Sequence, residues 1–470
     1  MPDDAYRVET DTLGEVRVPA GAYWGAQTQR AVENFPVSGL RPPAALVRAC
    51  VMVKLAAGRA NSGLGKLTAD IADPIEQACR DVLENGRLID QWVVDPFQAG
   101  AGTSFNMNTN EVLANRANEM LGEPLGTYRP IHPNDHVNMS QSTNDTYPTA
   151  MYVAVLLEGA ALASVLDEVA EVLAEKGREF DGIVKSGRTH LQDAVPVRLG
   201  QEFAAYAAAV ARGAEDLRRA LDACRDLPLG GSATGTGLNT HEKYAATAVA
   251  HLAEISGLNL RPAADLRHAM QSMAPAAGVS AAVRNLALEL GRIASDLRLL
   301  SSGPRTGLAE IRLPAVQPGS SIMPGKVNPS ILECLNMVAM QVAGSDAAVA
   351  AAVGAGQMEL NVFMPLIAHN LLLSIRILNN FLPVAGERCL RGIEADPDRC
   401  RHYFESSVGL ATLLNEHIGY AKAAEVAKEA VATGKTVRAL ILEKGLMSEE
   451  ALEAALEARR VTEPDDPRPR

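Results

Sequence analysis

The sequence predicts an all-α architecture built on a long central helical bundle, and three observations carry that expectation. Proline removes a backbone donor and clashes with the preceding helical turn. It is absent between Pro148 and Pro196, Pro196 and Pro228, Pro275 and Pro304, Pro329 and Pro365, and Pro397 and Pro464. Those gaps are filled with Ala, Leu, Glu and Arg, strong helix formers, whereas strand proteins need turn residues roughly every 8–12 positions. Aromatic residues make up only 4% of a chain that is 47% apolar, so Ala, Leu and Val must fill the core, which suits helix-on-helix packing.

The expected organisation has three domains in chain order. Residues 1–144 mix short helical stretches with loops rich in Pro, Gly and Asn. Residues 145–396 carry the long helices. From Ala150 to Lys176, Met151, Val155, Leu162, Val165, Leu166, Val169, Val172 and Leu173 leave only a narrow wet stripe of Glu158, Asp167, Glu168, Glu171 and Glu175. A helix that apolar is expected to be buried on most sides. Ser330 to Gly354 holds only Glu333 and Asp346 as charges and reads as the centre of the bundle. Residues 397–470 form a smaller helical tail whose last seven, from Pro464, are expected to be disordered.

Composition excludes several function classes. With 44 Lys and Arg against 56 Asp and Glu, the formal net charge is −12, and no basic cluster suits nucleic-acid phosphates. The longest uncharged run, between Glu359 and Arg376, is interrupted by Asn361, Pro365, His369 and Asn370. It falls short of the roughly 18 apolar residues of a membrane span, so no membrane partner is expected. The acidic start, Met1-Pro-Asp-Asp-Ala-Tyr-Arg7, lacks the features of a secretory signal, which makes a cytoplasmic location the expectation. Cys50, Cys79, Cys224, Cys334, Cys389 and Cys400 lie far apart with no C-x-x-C pair, so they read as buried thiols rather than a disulfide framework or zinc site. A small molecule or another protein remains as the partner.

Two glycine-rich stretches fail as phosphate loops. Gly63-Leu-Gly-Lys66 lacks the following Ser or Thr and has Ala60 in place of the first glycine. No β-branched strand precedes Gly230-Gly-Ser-Ala-Thr-Gly235-Thr-Gly237, which reads as a tight turn or close backbone approach. His132 and His136 flank Pro133 and Asn134, a turn sequence, and suit loop hydrogen bonds, or else anion binding, better than a metal site; no metal is expected. Three polar segments are more informative: Gln141-Ser142-Thr143-Asn144-Asp145, Gly187-Arg-Thr189-His190-Leu-Gln192-Asp193, and Gly319-Ser320-Ser321-Ile-Met-Pro324-Gly-Lys326-Val-Asn328-Pro329. Each alone reads as an N-cap or turn. Together they offer hydroxyls, amides, one lysine and helix starts, which are the means of holding carboxylates, and the third resembles a lid.

Residues 319–328 resemble the signature loop of the aspartase/fumarase superfamily. The similarity extends through Gly100-Ala-Gly-Thr103-Ser104, His132 to His136, Ser142 to Asn144, Gly187 to His190, Gly235 to Asn239, Ser302-Gly-Pro-Arg305 and Glu359 to Val362. The resemblance implies a helical-bundle homotetramer whose active sites are each assembled from three subunits. It also implies a C4 dicarboxylate substrate and reversible anti elimination giving fumarate without a cofactor. By position, Thr103, Ser142, Thr143 and Ser321 would donate to the β-carboxylate. Lys326, Asn328 and Thr189 would grip the α-carboxylate, and Asn144 and His190 would contact the leaving group. His190 would be paired with Glu333, and Ser320 matches the base.

Within the superfamily, Gly100 to Ser104, Ser142 to Asn144, Leu191 to Pro196, Asp296 to Leu300 and Ala355 to Gln357 resemble the aspartate ammonia-lyase branch, which is the expected activity. Trp24 to Arg30 and Glu33 to Gly39 are closer to class II fumarases, the alternative. Met364 departs from both branches. A catalytically silent homologue with a structural role is disfavoured by the intact Ser320, Lys326, Asn328 and His190.

Overall fold

The computed structural model describes residues 6–464, so the disorder expected of the last seven residues falls, beyond Pro464, outside the described residues. A hairpin of β1 (Tyr6–Asp11) and β2 (Gly14–Pro19) leads into α1 (Ala26–Asn34), α2 (Ala44–Gly63), α3 (Ala69–Leu83) and α4 (Thr103–Met120). The helix α5 (Thr143–Glu179) is followed by a second hairpin, β3 (Val184–Thr189) and β4 (Gln192–Arg198), then by α6 (Leu199–Asp222), α7 (Tyr244–Ser256) and α8 (Leu266–Gln271). The chain continues through α9 (Ala274–Leu300), α10 (Ser330–Gly354), α11 (Met364–Arg388) and α12 (Pro397–Ser406), and ends in short helices up to Thr462. The all-α expectation holds, with small antiparallel hairpins added. Helix α5 begins at Thr143 and carries Pro148 inside it, so proline did not mark its start.

By packing, the described residues fall into two compact units. The first takes residues up to 163, 215–287 and 341–379. Its core holds Trp92, Phe105, Tyr152 and Tyr244, all under 2% exposed. Helix α4 is unusual in burying Asn106, Asn108, Thr109, Asn110, Glu111, Asn115 and Asn118. Buried polar groups need partners, and all but the Oδ1 atoms of Asn106 and Asn110 have them: the Trp92 indole donates to Thr109 Oγ1 at 2.9 Å, and Glu111 accepts amides from Gly25, Gln27 and Thr28 at 2.8–3.2 Å. The N-terminal segment is thereby hooked onto α4.

The second unit takes residues 164–214, 288–340 and those from 380 on. Val169 and Leu173 of α5, Leu290, Ile293 and Leu297 of α9, Leu332 and Leu335 of α10 and Leu382 of α11 enclose one apolar core. The tail helices bury a separate cluster of Phe404, Leu410, Leu414, Val426, Leu440, Ile441 and Leu452. Beside the β3–β4 hairpin, Glu310 is fully buried with both carboxylate oxygens 3.0 Å from Arg188 Nη1 and one 3.3 Å from Lys185 Nζ. Lys185 also reaches Glu202 at 2.9 Å, and burial raises the Glu202 carboxyl above its usual range.

Two expectations change. Helices α5 and α10 are each long and apolar enough to cross a membrane by length and composition, which the count of uncharged runs had missed because it did not tolerate isolated charges. The most apolar window of α5 is 67% buried in the protein, but that of α10 only 28%. Within one chain α10 is thus not enclosed on every face, and Met337 and Met340 are 63% and 71% exposed. All six cysteines are free, and all but Cys334 are buried.

Replacing Glu310 with Ala strands the Lys185 and Arg188 charges, and breaking a buried pair of this kind costs about 3–5 kcal/mol. Urea unfolding of Glu310→Ala should show that loss; a change under about 1 kcal/mol would mean the cluster is neutral to stability.

Candidate active site

The expected site residues fall into three local groups. The first lies where α4 and α5 begin. Residues 100–102 form a tight turn in which the Ala101 amide donates to Val362 O at 2.8 Å, and Ala101 and Gly102 both have positive φ, 62° and 85°. Gly102 lies flat on the Tyr147 ring; a Cβ there would sit 2.2 Å from ring carbon. This contact sets the start of α4 beside that of α5, leaving Thr103 exposed on the first turn with its hydroxyl 3.2 Å from Gly100 O.

At the start of α5, the Ser142 hydroxyl accepts the Asn144 amide at 3.3 Å while the Asp145 carboxylate accepts the Ser142 amide at 3.0 Å, a reciprocal capping pair. The second oxygen of Asp145 accepts the amides of Gly230 and Ser232 at 3.0 and 2.9 Å, and Asn144 Nδ2 donates to Ala233 O at 2.8 Å. The glycine stretch read as a close backbone approach is one: Gly230 has φ +98°, and a Cβ would meet Ala245 Cα at 2.8 Å. Burial pushes Asp145 up to about 6 against the pull of those amides. Thr143 Oγ1 accepts from Asn106 Nδ2 at 3.1 Å. Two helix N-termini with hydroxyls and an amide on their first turns are groups chemically able to hold a carboxylate.

The second group is Thr189 and His190, exposed at the turn of the β3–β4 hairpin. Thr189 pairs with Gln192 across a two-residue turn in which His190 and Leu191 take φ of 55° and 58°. Neither is glycine, so the turn is strained, a state that persists where the surroundings enforce it.

The third group is the loop 319–328. Its base is stapled by the Gly319 amide to Lys326 O and by Asn328 Nδ2 to Gly319 O, both 2.8 Å, so Asn328 is partly occupied in holding the loop. Within it, Ser320 Oγ accepts the Ile322 and Met323 amides, each at 3.1 Å. Ser321 and Lys326 are exposed, as is Ile322 at 85%. Glu333 stands in the first turn of α10, where a negative charge suits the helix dipole, and its charged neighbour within the chain is Arg298 at 3.9 Å; no contact with His190 is formed there. A cavity of about 660 Å³ lined by Arg312, Asp396, Arg399 and His402 adjoins Asn328 but no other expected site residue.

The remaining motifs settle as structure. His132 and His136 frame a single helical turn, with the His132 amide donating to His136 Nδ1 at 2.9 Å and the Asp135 amide to His132 Nδ1 at 3.3 Å. Among the described residues, no group of three or more His, Cys, Asp or Glu is placed to hold a metal. Met364 is fully buried at the start of α11, where a charged side chain would be costly.

Sequence reasoning passed over Asp145 as an anchor and missed Lys54, Asn106 and Asn138. Lys54 stands in α2 between Val53 and Leu55, is 1% exposed, and donates to Asn138 Oδ1 at 3.0 Å. A lone lysine inside an apolar run, and asparagines repeated along α4, were the available signals.

The family described as lyase matches residues 14–344, and that described as fumarase C C-terminus matches residues 410–463. The chain is 46% identical over 459 residues to the aspartate ammonia-lyase of Bacillus subtilis strain 168, covering 98% of this chain and 96% of the relative. It is 48% identical over 445 residues to the class II fumarate hydratase of Neisseria meningitidis, covering 94% and 96%. A crystal structure from Brucella melitensis, described as fumarate lyase:delta crystallin bound to cobalt, superposes with TM-score 0.94 at 49% identity, covering 98% of this chain and all of that one.

The Asp145 carboxylate offers two acceptor oxygens to three amides, whereas an Asn side chain turns one acceptor into a donor facing N–H groups. Asp145→Asn should therefore cost about 1–3 kcal/mol in urea unfolding, the cost of unmatched buried donors. An unchanged midpoint and slope would mean that the anchor is dispensable.

Proposed function

The chain belongs to the lyase family, and from that premise we propose that it catalyses reversible, cofactor-free anti elimination of ammonia from L-aspartate to give fumarate. The carrying observation is the adjoining starts of α4 and α5. The two segments there that resemble the aspartate ammonia-lyase branch, residues 100–104 and 142–144, are brought near each other by the packing of Gly102 on Tyr147, one turn further along α5. The fumarase-like stretch at 24–30 is hooked to Glu111, eight residues along α4 from Thr103, or about 12 Å at the helical rise. It shapes packing away from that carboxylate receptor.

The chemistry is loss of a C3 proton and of the C2 substituent through an aci-carboxylate. A proton beside a carboxylate is weakly acidic, so the doubly charged intermediate must be stabilised beyond the ground state. Thr103, Ser142, Thr143 and Ser321 supply uncharged donors, and preorganised donors in a dry site can each contribute about 3–4 kcal/mol to the barrier. Lys326, Asn328 and Thr189 hold the α-carboxylate, and Asn144 and His190 meet the leaving group. Ser320 takes the proton. Two amides aimed at its oxygen support that role, since hydrogen bonds to the charged form favour it.

We further propose a homotetramer with active sites shared between chains. The apolar, exposed face of α10 supports self-association, because exposed patches of this kind mark interfaces. Class II fumarate hydratase is the second reading, supported by relatives of that name at 48–49% identity.

Ser320→Ala should keep its helical content and melting temperature yet lose roughly 10²–10⁴ in kcat, the usual weight of a general base. Retention of more than about a tenth of turnover removes Ser320 from that role. Purified enzyme should convert L-aspartate with higher kcat/KM than L-malate; the reverse order replaces the ammonia-lyase reading with the hydratase one.

A further inference from the structure

The carboxylate receptor at the start of α5 rests on a buried chain of polar groups that the proposed chemistry leaves unused. Lys54 Nζ donates to Asn138 Oδ1 at 3.0 Å, and Asn106 Nδ2 donates to the same oxygen at 3.2 Å and to Thr143 Oγ1 at 3.1 Å. Asn138 Nδ2 is directed at Gln141 O, 3.3 Å away. Lys54 is 1% exposed and Asn106 2%.

The direction of every bond in this chain follows from one fact, that an ammonium only donates. Facing Lys54, Asn138 must present its oxygen. Asn106 must then present its nitrogen to that oxygen, and the second hydrogen of the same nitrogen reaches Thr143. With its oxygen already accepting, the Thr143 hydroxyl has its proton left for an acceptor elsewhere. Asn106 gains nothing from this orientation on its own account, because its Oδ1 is left buried without a partner. Either amide could flip if the donor at the far end were removed. Asn106 would then present an acceptor to Thr143, whose proton would turn inward.

We propose that Lys54 is a positioning residue which, through Asn138 and Asn106, holds the Thr143 hydroxyl as a donor towards the substrate carboxylate. The proposal rests on the functional reading above, in which Thr143 meets that carboxylate. Burial lowers Lys54 to about 8, and the negative charge of the Asp145 carboxylate opposes that fall. Neutral thiols of Cys50 and Cys79, raised by the same burial, are its other titratable neighbours.

The test is a double-mutant cycle on the full-length enzyme, with Lys54→Met, Thr143→Ala and the pair, read as kcat/KM for L-aspartate beside the melting temperature. Lys54→Met should lower kcat/KM about 10–100-fold, the range typical of supporting residues. In the Thr143→Ala background it should cost less than about twofold further, because the two act as one unit. A loss under about twofold in the wild-type background, or losses that multiply in full, would overturn the proposal. So would a lower melting temperature with kcat/KM unchanged. Should Lys54→Met fail to fold, Asn106→Ala cuts the same chain one link nearer Thr143 and is held to the same cycle. Wild-type enzyme inactive on L-aspartate would overturn the functional reading separately. The cycle is then read on the dissociation constant of succinate, where non-additivity supports the role of Lys54 and full additivity rejects it.

Discussion

A carboxylate sealed from water must be ringed with donors, and at Asp145 this requirement organises the first unit. Leaving such a group unpaired in a dry interior costs far more than a fold can spare. Its donors come from the Ser142 amide beside it and from the amides of Gly230 and Ser232, 85 and 87 residues away. One side chain therefore fixes the first turn of α5 and a distant loop together. Ser142 and Asn144 stay partly exposed beside a buried Thr143 because their neighbour Asp145 is satisfied inward. The loop in turn needs glycine at 230, where φ is +98° and Ala245 leaves no room for a Cβ.

The second unit solves the same problem with cations. Glu310 is met by Arg188 and Lys185, and its main chain ties the Leu300 carbonyl to the Asp396 amide. Replacing such a cluster with apolar residues is often neutral or stabilising, so its retention says more about geometry than about stability. What it holds is Arg188, which also lies over the Tyr403 ring at 5.4 Å, and the strained turn of His190 and Leu191 follows directly. A turn that would relax in isolation is kept because its stem is fastened.

Across both units the displayed groups are mostly hydroxyls, amides and helix starts, with Lys326 the one lysine among them. That choice matches the proposed reaction, in which the charge of the bound anion grows. A fixed cation near the developing charge would also bind the ground state strongly, whereas oriented dipoles act where the charge appears. Ser320 follows the same rule, with two amides of its own loop directed at its oxygen.

The sequence by itself determined the helices, because proline spacing and apolar periodicity act within a few residues, and it singled out the short segments proposed to carry the chemistry, because Ser320, Lys326, Asn144 and His190 stand in long, unusual motifs. It could not place the β3–β4 hairpin, whose residues look like a polar loop; the strands pair closely only because position 187 is glycine, where a Cβ would sit 2.4 Å from Val195 O. Nor could it show that α10 leaves an apolar face uncovered in one chain. Above all it gave no sign that Asp145, Lys54, Asn106 and Asn138 belong together. Capping and periodicity are local and can be read along the chain, but satisfying a buried charge draws donors from wherever the fold brings them. Only the tertiary structure decided which donors those were.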